Sequence, residues 1–83
     1  MDKRKEKYIN YVVEDLISNT EIDYDQEKIK YPFPHSYLLF FLPLSPSLSI
    51  SKYVIERYGI HDNDVDIIWK LYKERIQSLI NNG

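Results

Sequence analysis

The stretch DNDVDIIWKLYKERIQSLIN, Asp62–Asn81, decides the fold. Its apolar residues Val65, Ile68, Trp69, Tyr72, Ile76, Leu79 and Ile80 recur at the alternating three- and four-residue spacing of one helix face. Ile67 and Leu71 form a shorter stripe beside them and widen the arc to be buried, while Lys70, Lys73, Glu74 and Gln77 take the opposite side. Asp62, Asn63, Asp64 and Asp66 load the first turn with cap residues and with carboxylates that suit the positive end of the helix dipole. Trp69 brings the largest single apolar surface in the chain. The sequence therefore predicts a long helix whose Val65, Ile68, Trp69, Tyr72 and Ile76 form the platform of the core.

The residues before it supply a partner helix. Ile50, Val54, Ile55 and Tyr58 would face inward on a helix starting near Leu48 or Ile50, with Ser47 or Ser49 as its cap. Gly59 stands where a Schellman stop wants it, with Ile60 free to fold back on Ile55. Residues 49–81 thus read as a helix–turn–helix-like pair. A helix that reads DNA places basic or amide side chains at its N-terminal end. Here that end carries Asp62, Asp64 and Asp66, which phosphates repel, so the pair reads as a helical hairpin built for packing.

Toward the N-terminus, residues 1–19 carry another amphipathic helix, with Ile9, Val12, Val13, Leu16 and Ile17 inward and Tyr8 and Tyr11 flanking. Glu14 and Asp15 fall on its polar side, and Asn19 is a natural stop. Residues 20–33 read as a β-hairpin: Ile22 and Tyr24 alternate with charged residues on one run, Ile29, Tyr31 and Phe33 on the next, around a polar Asp25-Gln26-Glu27 connection. Residues 34–48 are an apolar, Pro- and Ser-rich segment. Pro43 and Pro46 forbid a continuous helix or a central strand there. Periodicity leaves Tyr37–Leu42 open between a buried strand, a helical turn capped by Ser36 and an extended segment. The expected fold is a small single-domain α+β protein: N-terminal helix, β-hairpin, apolar extended segment and C-terminal helix pair.

Composition excludes several functions. A chain of 83 residues buries only about 60–65% of its unfolded surface, so stability is modest and self-association or a partner can complete the core. The net charge of −2 gives no general attraction to nucleic acid or to anionic membranes. Without cysteine there are no disulfides and no thiolate metal sites. The longest strongly apolar run, Tyr37–Leu44, is far short of the roughly 20 residues that span a bilayer, and no apolar signal-peptide core follows the charged N-terminus. A cytoplasmic location, or one within a virion, is expected. Alanine is absent and glycine occurs twice, whereas Ile, Asn, Lys and Tyr abound. These are the residues of A/T-rich codons, which points to an A/T-rich genome: that of a phage, a virus, an A/T-rich bacterium or a protist.

Motifs for catalysis are missing. There is no Gly-x-Ser-x-Gly, no phosphate-cradling glycine loop and no HExxH, and His35-Ser36 is a sequence neighbour pair set among prolines. Asp23, Asp25 and Glu27 alternate as calcium ligands do, but Lys28 and Pro34 stand where that loop needs glycine and glutamate. His61 with Asp62 and Asp64 makes a weak metal signal, better explained as helix capping. No enzyme, cofactor, metal or small-molecule substrate is expected. The expected function is that of a small accessory or structural protein acting through a protein partner or self-association, with Tyr37, Leu38, Phe40, Phe41 and Leu42 as the contact residues. One alternative is nucleic-acid contact by the basic arm Lys3, Arg4, Lys5 and Lys7. The other is an acidic inhibitor of a nucleic-acid enzyme that presents Asp62, Asp64 and Asp66.

Overall fold

A computed structural model describes residues 3–26, 28–33 and 48–82. Helix α1 spans Lys3–Ser18, strands β1 and β2 span Glu21–Asp23 and Lys28–Lys30, and helices α2 and α3 span Leu48–Tyr58 and Asp62–Asn82. The chain is a small α+β domain: a helix, a two-stranded antiparallel hairpin, then two helices.

Helix α3 is the platform its periodicity predicts. Val65, Ile68, Trp69, Tyr72 and Ile76 are all buried, and Ile67 and Leu71 pack half-buried beside them. Helix α1 lays Ile9, Val12, Val13 and Leu16 against that face and shares with α3 the largest helix–helix contact. Two ion pairs, Lys5–Asp64 and Glu14–Arg75, advance together along both helices, so α1 and α3 run side by side in the same sense. The last turn of α3 departs from expectation: Leu79 is 38% exposed and Ile80 only half-buried. That turn carries its apolar residues beyond the covered stretch, and the Tyr24 hydroxyl donates to the Leu79 carbonyl there at 3.0 Å.

The hairpin is shorter than its alternation suggests. Only three residues of each strand join the ladder, in the register Glu21↔Lys30, Ile22↔Ile29 and Asp23↔Lys28. This register puts both isoleucines on one face, where Ile29 is fully buried, and sets opposite charges across from each other at both ends. The Asp23 carboxylate accepts the Gln26 backbone N–H at 3.1 Å, a local side-chain bond that explains its place before the connection. Tyr31 and Phe33 leave the ladder. Phe33 turns into the core instead, 5% exposed, with ring centroids of Tyr31, Tyr53, Trp69 and Tyr72 at 6.1, 5.4, 6.4 and 5.9 Å. Phe33, rather than Trp69, is the ring on which the aromatic core converges. The Trp69 Nε1–H is buried and meets no acceptor among the described residues.

Polar side chains finish the helix ends. At the end of α1, Ser18 Oγ and Asn19 Nδ2 donate to the Asp15 carbonyl at 2.8 and 2.9 Å, and Thr20 Oγ1 donates to the Leu16 carbonyl at 2.7 Å. These bonds satisfy carbonyls that a helix end leaves open. Since the Thr20 hydroxyl proton is committed to Leu16, the buried Tyr72 hydroxyl, 2.8 Å away, donates to Thr20 Oγ1. Helix α2 ends on Gly59 at φ +64°, whose N–H donates to the Ile55 carbonyl at 2.9 Å. That bond belongs to the simpler left-handed cap, not to the Schellman pattern expected. Ile60 still folds into the core.

Nothing lies within 4 Å of a Cβ built on Gly59, so alanine there meets no clash and the whole cost is backbone strain. Gly59→Ala is expected to lower stability by about 1 kcal/mol, read as a fall in the urea midpoint at unchanged slope. An unchanged midpoint would show that the turn does not need the left-handed conformation.

Candidate functional site

The residues expected to form the interface, Tyr37, Leu38, Phe40, Phe41 and Leu42, lie outside the described residues, as does the Ser47 cap. The platform residues Trp69 and Tyr72 are placed as expected, and both are too deeply buried to meet a partner. The basic arm occupies the first turns of α1, with Lys3, Arg4, Lys5 and Lys7 exposed. Lys5 is already engaged: its Nζ lies 2.9 Å from Oδ1 of Asp64. Asp64 is only 7% exposed, in the first turn of α3, where the helix dipole favours a carboxylate. The pair removes one cation from the arm and one carboxylate from the acidic turn. Asp64, expected among the presented acids, is instead buried and tied to the exposed Lys5 across α1 and α3. Asp15, expected on the polar side of α1, is half-buried and accepts the Tyr58 hydroxyl through Oδ2 at 2.5 Å.

Another set of residues comes together at the surface. Tyr8 and Tyr11, three apart on α1, are 43% and 60% exposed, and their rings stack with centroids 6.3 Å apart. The Tyr8 hydroxyl donates to the Tyr58 carbonyl at the end of α2. There the Arg57 guanidinium lies over two rings, 5.8 Å from the centre of Tyr58 and 5.9 Å from that of Tyr53. Tyr53 in turn meets Phe33 edge-on. The result is a strip of tyrosines carrying one arginine that runs from α1 over the end of α2 to the exit of the hairpin.

Electrostatics act on two groups at the end of α2. Burial, then the hydrogen bond to Asp15, pushes the Tyr58 phenol well above its ordinary value. The Tyr58 hydroxyl, followed by the charge interactions of Tyr53 and Tyr58, raises Arg57 further. Neither group changes charge near neutral pH.

The strip ends at a groove of about 520 Å³ between the end of β2 and α2. Tyr31, Pro32 and Phe33 form one side, Tyr53 and Arg57 another, and Lys30 adds a second cation. Glu21 and Asn19 complete the lining. A second hollow, of about 530 Å³, is lined by the hairpin itself from Glu21 to Lys30, with acids and lysines intermixed.

No cluster of three or more His, Cys, Asp or Glu suited to a metal occurs among the described residues, and no described helix is long and apolar enough to cross a membrane. What the surface offers chemically is rings, hydroxyls and a fixed guanidinium: groups that bind. The signals for it were in the sequence as two spacings, Tyr8–Tyr11 and Tyr53–Arg57, each of which places neighbours on a helix. That the two pairs join into one surface follows only from how α2 meets α1. No protein-family model, no curated protein and no solved structure matches this chain.

Proposed function

We propose that this chain is a non-enzymatic accessory protein that acts by binding a partner protein through the strip Tyr8–Tyr11–Arg57–Tyr53. The observation that carries the reading is the stacked, exposed Tyr8–Tyr11 pair joined to an arginine that lies over two further rings. Tyrosine and arginine are enriched at the centres of protein interfaces: tyrosine brings large contact area and a hydroxyl with few torsions to freeze, and arginine a planar fork of donors that also packs on rings. A different protein suits the strip better than a second copy of the chain. A two-fold contact sets the same patch against itself, and Tyr8, Tyr11, Tyr53 and Arg57 include no carboxylate to pair with the arginine. A phage or viral origin, one of those the composition allows, is in keeping with an assembly or accessory role.

A photoreactive phenylalanine at position 11 tests this. In cells of its source, position 11 is expected to yield one discrete adduct, and position 70, on the polar side of α3, none. Once that partner is purified, Tyr11→Ala is expected to weaken its binding by on the order of thirtyfold, the usual loss at a hot-spot tyrosine of about 2 kcal/mol, with the circular dichroism unchanged. Absence of an adduct at position 11, or equal yields at both positions, overturns the reading.

A further inference from the structure

The groove at the end of the strip suggests what the partner offers. Its two cations, Lys30 and Arg57, stand out on a chain of net charge −2. Lys30 is in no ion pair among the described residues, and its ladder neighbour Glu21 does not approach it closely enough to form one. Arg57 is stacked on Tyr53 and Tyr58 and shares a hydrogen bond with the Tyr58 hydroxyl. A guanidinium has five N–H donors, so it keeps capacity for a carboxylate, and its stacking removes much of the side-chain entropy that binding otherwise costs. Beside these cations lie the half-buried rings of Tyr31, Pro32 and Tyr53, backed by the buried Phe33, an apolar floor for a neighbouring side chain.

We propose that this groove seats an acidic–aromatic segment of the partner protein: one carboxylate on Lys30 and Arg57, and an adjacent apolar side chain on Tyr31, Pro32 and Tyr53. The proposal rests on the reading of the strip as a protein interface and names the chemistry of the partner. Charge favours a peptide over a nucleic acid. Glu21 lines the groove, and Asp15 sits against Tyr58 next to Arg57, so a single carboxylate is tolerated where a row of phosphates is repelled.

The test titrates the isotope-labelled full chain with the blocked peptide SLEF, with its glutamine counterpart SLQF, and with a short oligothymidylate, followed by amide chemical shifts. SLEF is expected to move Lys30, Tyr31, Phe33, Tyr53 and Arg57 saturably and to leave Lys70 and Gln77 in place. Loss of the charge, in SLQF or in Arg57→Gln, is expected to weaken binding by about tenfold, the worth of one hydrogen-bonded charge contact. Arg57 is exposed, so the variant keeps the fold, and its unperturbed spectrum elsewhere verifies this. No saturable shifts at the groove, equal binding of SLEF and SLQF, or displacement of SLEF by the oligothymidylate would each overturn the proposal. A position-11 adduct together with an unresponsive groove rejects the acidic segment and leaves the interface standing; failure at position 11 rejects the interface itself.

Discussion

Phe33→Ala is expected to cost about 3–5 kcal/mol, a large share of the stability of so small a domain. A domain of 83 residues has a total stability of only about 4–12 kcal/mol. Phe33 is 5% exposed, and it is the ring through which the hairpin exit, α2 and α3 meet. Its contacts with Tyr53 and Tyr72 are edge-on, at interplanar angles of 78° and 72°, a geometry that adds to the simple burial of area. Alanine removes the ring and leaves a cavity walled by four aromatic side chains, which are too stiff to collapse into it. Phe33→Leu keeps most of the volume and is expected to lose about 1–2 kcal/mol. Urea melts followed by the fluorescence of Trp69, the chain's one tryptophan, read both variants. An alanine variant within about 1 kcal/mol of the parent would show that Phe33 does not hold these elements together.

Alkaline pH is expected to unfold the protein, and Tyr72 is the main reason. Burial holds its phenol well above the ordinary tyrosine value of 10.0. The folded state therefore keeps this proton where the unfolded chain releases it. The stability tied to that difference is fully present below pH 10 and is lost as pH rises above it, at about 1.4 kcal/mol per pH unit for one such group. Tyr58, raised by burial and by its bond to Asp15, and Tyr31, raised by burial, act in the same direction. Both are half-exposed, so solvent screening reduces their share. Tyr72→Phe separates the contributions. It loses the bond to Thr20, about 1 kcal/mol at neutral pH, yet its stability should fall less steeply than the parent's between pH 10 and 11. Equal slopes would show that Tyr72 ionises as readily folded as unfolded.

Much of this architecture was legible because it follows from local spacing. Val65, Ile68, Trp69, Tyr72 and Ile76 recur at helical intervals, and a helix of that composition has one face to bury whatever covers it. Ile22 and Ile29 sit among charges at strand spacing, so one face of the hairpin had to turn inward. Gly59 was readable as a stop because few other residues accept its backbone angle without strain. Even the failure at Leu79 is local in kind: periodicity assigns a face along the whole helix and says nothing of where the covering element ends.

The candidate site was less legible, because its parts lie far apart in the chain. Tyr8 reaches Tyr58 across fifty residues, and only the packing of α2 beside α1 makes one surface of the two tyrosine pairs. Asp64 read as a solvent-facing cap carboxylate, but the parallel course of α1 and α3 buries it and sets the exposed Lys5 beside it. Phe33 read as one more alternating strand residue ahead of a proline, and becomes the hub because the hairpin ends where α2 and α3 meet. The sequence by itself determined the elements and the face each one buries, since both depend on residues within a few positions of one another. Which faces meet, which charges pair and which tyrosines stay outside was decided by the tertiary structure, because those contacts depend on how whole elements fill a common volume.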